Sequence, residues 1–387
     1  MVNSEITKGF KDYLGEEAIK REAIREILVK NFRLFGFEPA EPPIIESEEF
    51  VRGENTNDEA VSDIFKLADK GERKLALRYE MTFQLKRIMQ NKKLPYKRYQ
   101  IGSVFRDEPI TGNRFRQFTQ CDVDVVGSNS KDEAEILAIT SKVLEELGIK
   151  FVINVNNRRL LNEILEKEGV KKEQLKEVIK EIDKLDKLSE KEVKDNLKKY
   201  NADKIIEVFK KQEKFFEKYE SYKEIKELKE NCALFGVKVN FLPTLARGLS
   251  YYNGSVFEVK TPEVKETITA GGSYFFNGIQ CTGISFGLER LSLLAKLKLE
   301  DKSVVIISLG EDKKALEIAN DLRKNNIPCV VMYNKVTKAL EYANSYGIDK
   351  VVFIGSEEVK KKKFKLKNMK SGKEEFLSEQ DLVKKLK

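Results

Sequence analysis

Apolar residues recur at helical spacing through "LGEEAIKREAIREILVKNFRLFG", residues 14 to 36, and the run stops at a glycine, which predicts an amphipathic helix. The proline-marked "FEPAEPPIIES" that follows reads as extended chain. A period of two then takes over, the spacing at which successive side chains fall on opposite faces of a strand. "DIFKLADKGERKLALRYEMT" predicts two short strands around a turn at Asp69–Glu72, with Arg78, Glu80 and Thr82 on one face, and a helix is expected over about 83–91. "VFRDEPITGNRFRQF" (104–118) gives two alternating arms broken at Pro109–Asn113, and the alternation continues through "TQCDVDVVG", so a long antiparallel hairpin is predicted with cations converging on one face. Strands are expected again in "ARGLSYYNGSVFEVK" and "ETITAGGSYFFNGIQ", and "ISFGLERLSLLAKL" reads as a strand entering a helix. Antiparallel strands with flanking helices predict an α+β architecture, unlike the repeated βαβ of a dinucleotide fold.

Two segments stand apart from this pattern. From Arg158 to Gly236 the chain is charged and helix-forming throughout, which predicts a helical insertion between two strand-rich halves. A binding role and a solvated spacer are equally compatible with it. After about Asp301, "VVIISL", "PCVVMY" and "KVVFIG" alternate with helical stretches and a last helix, as in a small α/β domain with a mostly parallel sheet. The expected boundaries are 1–157 and 237–300 for the two parts of one domain, 158–236 for the insertion and 301–387 for the terminal domain.

Charge marks the terminal domain further. Residues 301–387 hold 19 Lys and Arg against 13 Asp and Glu, hence +6 of the net +8 of all 387 residues. A polyanion such as nucleic acid is one partner that suits such a surface; a solvated lysine-rich face is the other reading. The apolar runs fall short of a membrane span and the N-terminus does not read as a signal peptide, so a soluble, cytoplasmic protein is expected. Four scattered cysteines suggest buried thiols rather than zinc or disulfides. The chain contains no histidine. Imidazole bases, imidazole metal ligands and Ser-His triads are therefore excluded, and chemistry falls to arginines, carboxylates, hydroxyls and bound metal.

Arg106, Arg114 and Arg116 lie within eleven residues of each other. They can pair across strands with Asp107 and Glu108, or they can form a preorganised polyphosphate site, since guanidinium groups match phosphate oxygens in bidentate geometry. "RGLSYYNG" (247–254), "AGGSYFFNG" (270–278) and "FGLERL" (286–291) add Arg247, a glycine pair open to close approach, and Arg290 at a strand-to-helix junction. Each is weak alone, and their order along the chain is the stronger signal.

Together these stretches resemble the class II aminoacyl-tRNA synthetases, most closely the histidyl-tRNA synthetase family, over nearly the whole chain. "FGFEPAEPPIIE" is similar to the dimer-interface motif of the class, "FRDEPITGNRFRQF" to its second motif and "GISFGLERL" to its third; "RGLSYYNGSVFEV" and "AGGSY" resemble stretches peculiar to the histidyl enzymes. The resemblance implies a class II antiparallel-sheet catalytic domain, with the helical insertion, and an anticodon-binding α/β domain at the C-terminus. It implies a homodimer that joins histidine to its tRNA through histidyl-adenylate, using ATP with Mg2+ and no metal site of its own. Arg106 would hold the ATP α-phosphate, Arg114 and Arg290 the γ-phosphate, Glu108 and Phe118 the adenine, and Arg247 the α-phosphate and the substrate carboxylate. Glu80, Thr82 and Gln120 would meet the α-amino group, Asp124 and Tyr252 the imidazole, with Tyr251 also in the histidine pocket. The chain departs from the family pattern at Asp124, where glutamate is common, at Ser250, where aspartate is common, and at Ser273 and Phe275, which replace the Arg and Asp of "GGRYD". The rival from another class is a non-catalytic paralogue such as the regulatory subunit of ATP phosphoribosyltransferase, which usually lacks the terminal domain and some of these arginines.

Overall fold

A computed structural model describes residues 4–53, 59–110, 115–246, 252–299 and 303–387. The chain forms two compact units, Met1–Leu297 and Lys298–Lys387. In the first, the strands are β1 (Glu38–Pro39), β2 (Ile45–Ser47), β3 (Lys66–Ala68), β4 (Lys74–Leu77), β5 (Tyr96–Phe105), β6 (Gln117–Val126), β7 (Val152–Asn157), β8 (Val239–Phe241), β9 (Tyr252–Thr261), β10 (Val264–Phe276) and β11 (Ile279–Gly287). Eight of them make one sheet in the order β1-β5-β6-β11-β10-β9-β7-β8, and β2-β4-β3 form a small second sheet. The six central strands of the large sheet are antiparallel, and β1 and β8 add to its edges in parallel.

Alternation along β6 divides the two faces of this sheet. Cys121, Val123 and Val125 enter a core shared with Ile24, Leu28 and Phe32 of the helix Gly15–Leu34, Ile136 and Ile139 of the helix Ser130–Glu146, and Leu291 of the helix Leu288–Leu294. The intervening Gln120, Asp122 and Asp124 line a cavity on the opposite side. The helix Ser130–Glu146 starts at a capping box: the Asn129 side chain accepts from the Lys131 amide at 2.9 Å, and Asp132 accepts from the Asn129 amide at 2.9 Å.

The sequence places Arg78, Glu80 and Thr82 on a strand face, but β4 ends at Leu77 and these residues lie on the loop that follows. Arg78 causes the departure. Its side chain is buried, donates through Nε to the Ser103 carbonyl at 2.8 Å and through Nη1 to the Pro42 carbonyl at 3.1 Å, and so turns the chain out of the small sheet. Gly102 makes room for it, since a Cβ there would come within 2.4 Å of the guanidinium. The arms of the arginine hairpin are also shorter than the alternation suggests: β5 stops at Phe105, opposite Gln117, so Arg106, Glu108 and Arg116 lie beyond the paired strands.

Residues 158–236 contain five α-helices, from Arg158–Lys167 to Tyr222–Leu234, which enclose a core of their own that includes Leu161, Ile182, Leu197, Ile206 and Phe216. They connect β7 to its parallel neighbour β8. The second unit has β12 (Val304–Ser308), β13 (Cys329–Met332) and β14 (Lys350–Ile354) in parallel, extended by an antiparallel hairpin of β15 (Phe364–Asn368) and β16 (Glu374–Leu377). That hairpin precedes the expected last helix and is absent from the sequence reading. The apolar signal of β15 is confined to Phe364 and Leu366, which are buried, while lysines occupy the alternate positions, and β16 adds only Phe376, which is exposed, and Leu377. Among the described residues no helix is long and apolar enough to cross a membrane.

Candidate active site

One cavity gathers six of the residues singled out from the sequence: Glu80, Thr82, Arg106, Gln120, Asp124 and Tyr252. They come from the loop after β4, the end of β5, the inner face of β6 and the start of β9. The loop is shaped from within. The Glu80 carboxylate accepts from the Phe83 amide at 3.0 Å and from the Thr82 hydroxyl, and Leu85 caps the turn by donating to the Thr82 carbonyl at 3.0 Å. Burial raises the Glu80 carboxyl above the usual range, against these hydrogen bonds and the nearby Arg106 charge.

Asp124 rests on residues that the sequence reading passes over. Arg98, directly opposite it on β5, is fully buried and pairs with its Oδ2 at 2.9 Å, and the Tyr274 hydroxyl donates to its Oδ1. Burial pushes the Asp124 carboxyl upward while Arg98 and Tyr274 hold it down; the guanidinium stays charged, so the carboxylate remains its counter-ion. Arg98 also donates to the Met81 carbonyl at 3.2 Å, which ties the Glu80 loop to the same pair. Close packing of glycines makes this possible: a Cβ on Gly283 would lie 2.1 Å from Asp124 Oδ1, and one on Gly272 would lie 3.0 Å from the Tyr252 ring. The glycine pair 271–272 thus admits the neighbouring strand backbone and the Tyr252 ring.

Arg106 stands at the rim. Its Nε donates to the Tyr79 carbonyl at 3.1 Å, its Nη1 is 3.8 Å from Glu108 Oε1, and its guanidinium carbon lies 5.1 Å from the centroid of the Phe118 ring. Arg106, Glu108 and Phe118 are therefore neighbours. Arg116 is engaged in the loop itself, with its amide donating to the Gly9 carbonyl at 2.8 Å and its Nη2 3.1 Å from Asp107. Arg290 lies outside the cavity lining, on the first turn of Leu288–Leu294, with Nη1 donating to the Thr267 carbonyl. Arg114, Arg247, Ser250 and Tyr251 lie outside the described residues. Among the described residues no group of three or more acidic or thiol side chains is placed to hold a metal ion.

The departures at 273 and 275 lie outside the cavity lining. Ser273 points to the other sheet face, where its hydroxyl and that of Ser255, the latter at 2.7 Å, hold the buried Glu133; Phe275 is half exposed, and only Tyr274 between them lines the cavity. Of the added residues Asp122 alone carried a local signal, whereas Arg98 and Tyr274 reach Asp124 through strand pairing. Asp122 shares the period-two face of Gln120 and Asp124, and the register of the hairpin brings Arg98 opposite Asp124.

Burial, with Asp124 and Glu80 nearby, pushes the Asp122 carboxyl up to about 7, against Arg98 and the Ser285 hydroxyl. Arg78 also faces it. In the unfolded chain the group releases its proton near pH 4, so between that pH and about 7 the folded state binds the extra proton; stability is greatest at the acid end and falls as pH rises through about 7. With no histidine in the chain, this window is clear of imidazole. Urea unfolding of the unliganded protein should therefore show a loss of roughly 1–2 kcal/mol between pH 5.5 and 8, and Asp122→Asn should flatten the profile. An identical slope in the variant would assign the proton elsewhere.

Residues 9–291 match the family model for histidyl-tRNA synthetase, and residues 303–387 match that of an anticodon-binding domain. Histidine–tRNA ligase 2 of Shouchella clausii is 34% identical, with 96% of this chain and 97% of the relative covered. The crystal structure of histidyl-tRNA synthetase from Nostoc sp. PCC 7120 superposes with a TM-score of 0.89 at 26% identity, covering 100% of this chain and 99% of that one. An ATP phosphoribosyltransferase regulatory subunit/histidyl-tRNA synthetase from Bacillus halodurans superposes with a TM-score of 0.76, over 88% of this chain and 97% of that one; at 20% identity the likeness carries the fold alone.

Proposed function

From the premise that the chain belongs to the histidyl-tRNA synthetase family, we propose that it activates histidine with MgATP to histidyl-adenylate and transfers the histidyl group to the 3′ end of the histidine tRNA, as a cytoplasmic homodimer. The observation that carries this reading is the position of Arg106, anchored between a carboxylate-lined cavity and the face of Phe118.

Histidine would occupy the cavity. Its imidazole has two nitrogens, for which Asp124 supplies an anionic acceptor and Tyr252 a phenol; its α-ammonium would meet Glu80, Thr82 and the Gln120 carbonyl oxygen, which is buried with no partner among the described residues. The carboxylate then faces the rim, where Arg106 would draw it and the ATP α-phosphate together while adenine stacks on Phe118 beside Glu108. Arg290, with Arg114, would meet the γ-phosphate. Arg247 would neutralise the charge that develops at the α-phosphate, and Tyr251 would complete the histidine pocket. The nucleophile is already an anion, so the step needs alignment and charge neutralisation and no general base.

Transfer to tRNA is the part that tests the whole chain. Residues 301–387 carry +6 of the net +8. Removing Lys298–Lys387, a compact unit in itself, should leave histidine-dependent adenylate formation within about threefold of the full chain and lower tRNA charging at least about tenfold, with a weaker dependence of tRNA binding on salt. Charging of histidine tRNA with labelled histidine, by both forms with their oligomeric state checked, measures this. Equal tRNA affinity with and without the segment would contradict it.

A further inference from the structure

Beneath the cavity runs a short hydrogen-bond chain that the assignments above leave unused. Ser285 on β11 donates its hydroxyl to Asp122 Oδ1 at 2.5 Å, and the Ser285 Oγ in turn accepts from Gln120 Nε2 at 2.9 Å. Asp122 is 4% exposed, and Gln120 Oε1 is buried without a partner among the described residues. We propose that Asp122 and Ser285 are positioning residues that lock the Gln120 amide with its oxygen toward the cavity, and so make the site demand a cationic amino group on its substrate.

The direction of the chain follows from proton count. A serine hydroxyl has one proton, and an ionised carboxylate can only accept, so that proton goes to Asp122. The Ser285 lone pair then takes the Gln120 N–H. The amide oxygen is turned the other way, as a desolvated acceptor that needs a donor. An ammonium group supplies one, and its charge is balanced by Glu80 in the same cavity. Without the carboxylate, the Ser285 proton is available to the Gln120 oxygen, the amide can rotate, and its NH2 would face the ammonium instead.

This inference rests on the reading that histidine occupies the cavity, and the test separates the two. Calorimetry at pH 8, above the value of about 7 at which Asp122 ionises, compares the dissociation constants of histidine and of 3-(imidazol-4-yl)propionate, which lacks the amino group. The native chain should favour histidine strongly. Ser285→Ala should lower that preference about tenfold or more by weakening histidine, while the deamino compound changes by less than about twofold. Asp122→Asn, which keeps the size and removes the charge, should shift the preference in the same sense and decides the matter if the alanine variant does not fold. Equal weakening of both ligands, or an unchanged preference, would overturn the positioning role while leaving histidine binding intact. Failure of the native chain to bind histidine would overturn the occupancy reading and this inference with it.

Discussion

Asp124→Asn should destabilise the unliganded protein by about 3 kcal/mol or more and weaken histidine binding by roughly a hundredfold. Shape is almost conserved by this change. Arg98, however, loses its counter-ion while fully buried, and its Nε already lacks a hydrogen-bond partner among the described residues. An unpaired buried guanidinium is far more costly than the pair was stabilising, because the carboxylate had offset a desolvation that remains when it is gone. The nearby Asp122 offsets part of this, which is why the lower end of the usual range is expected. Tyr274 keeps an acceptor in the asparagine oxygen, so the ring should stay in place. Urea unfolding and calorimetry with histidine measure the two effects. A stability loss under about 1 kcal/mol would show that Arg98 and Asp124 are not the interdependent pair that the geometry describes.

Arg106→Ala should lower the rate of adenylate formation by roughly a hundred- to a thousandfold, with a change in the Michaelis constant for histidine of only a few fold. The Tyr79 carbonyl holds the guanidinium, with Glu108 3.8 Å away, so little reorganisation would be needed as charge develops at the α-phosphate proposed to sit there. Arg106→Lys should restore only a small part of the rate, because an ammonium keeps the charge and loses the planar fork. Single-turnover kinetics would separate chemistry from binding. A raised Michaelis constant with an unchanged turnover number would place Arg106 in ground-state binding alone.

Much of this site was readable in the chain because strands expose their logic at a period of two. Gln120 and Asp124 sit two turns of the pleat apart on β6, and their face of the sheet follows from Cys121, Val123 and Val125 filling the other. What escaped depends on pairing between distant segments. Arg98 meets Asp124 only in a particular register, and Tyr274 meets it across β11, so neither contact is visible in local spacing. Arg78 misled in the other direction: its alternation with Glu80 continues that of β4, yet tertiary hydrogen bonds to Pro42 and Ser103 take it off the strand. The β15–β16 hairpin was obscured by charge, since solvated lysines on one face resemble the exposed side of a helix as readily as that of a sheet.

The proposed reaction joins histidine to the α-phosphate of ATP at the cavity and its rim. Exchange of labelled pyrophosphate into ATP, measured with each of the twenty amino acids in turn, tests it most directly. Exchange should depend on histidine and stay near background with the others; its absence with histidine, or equal exchange with another amino acid, would contradict the account.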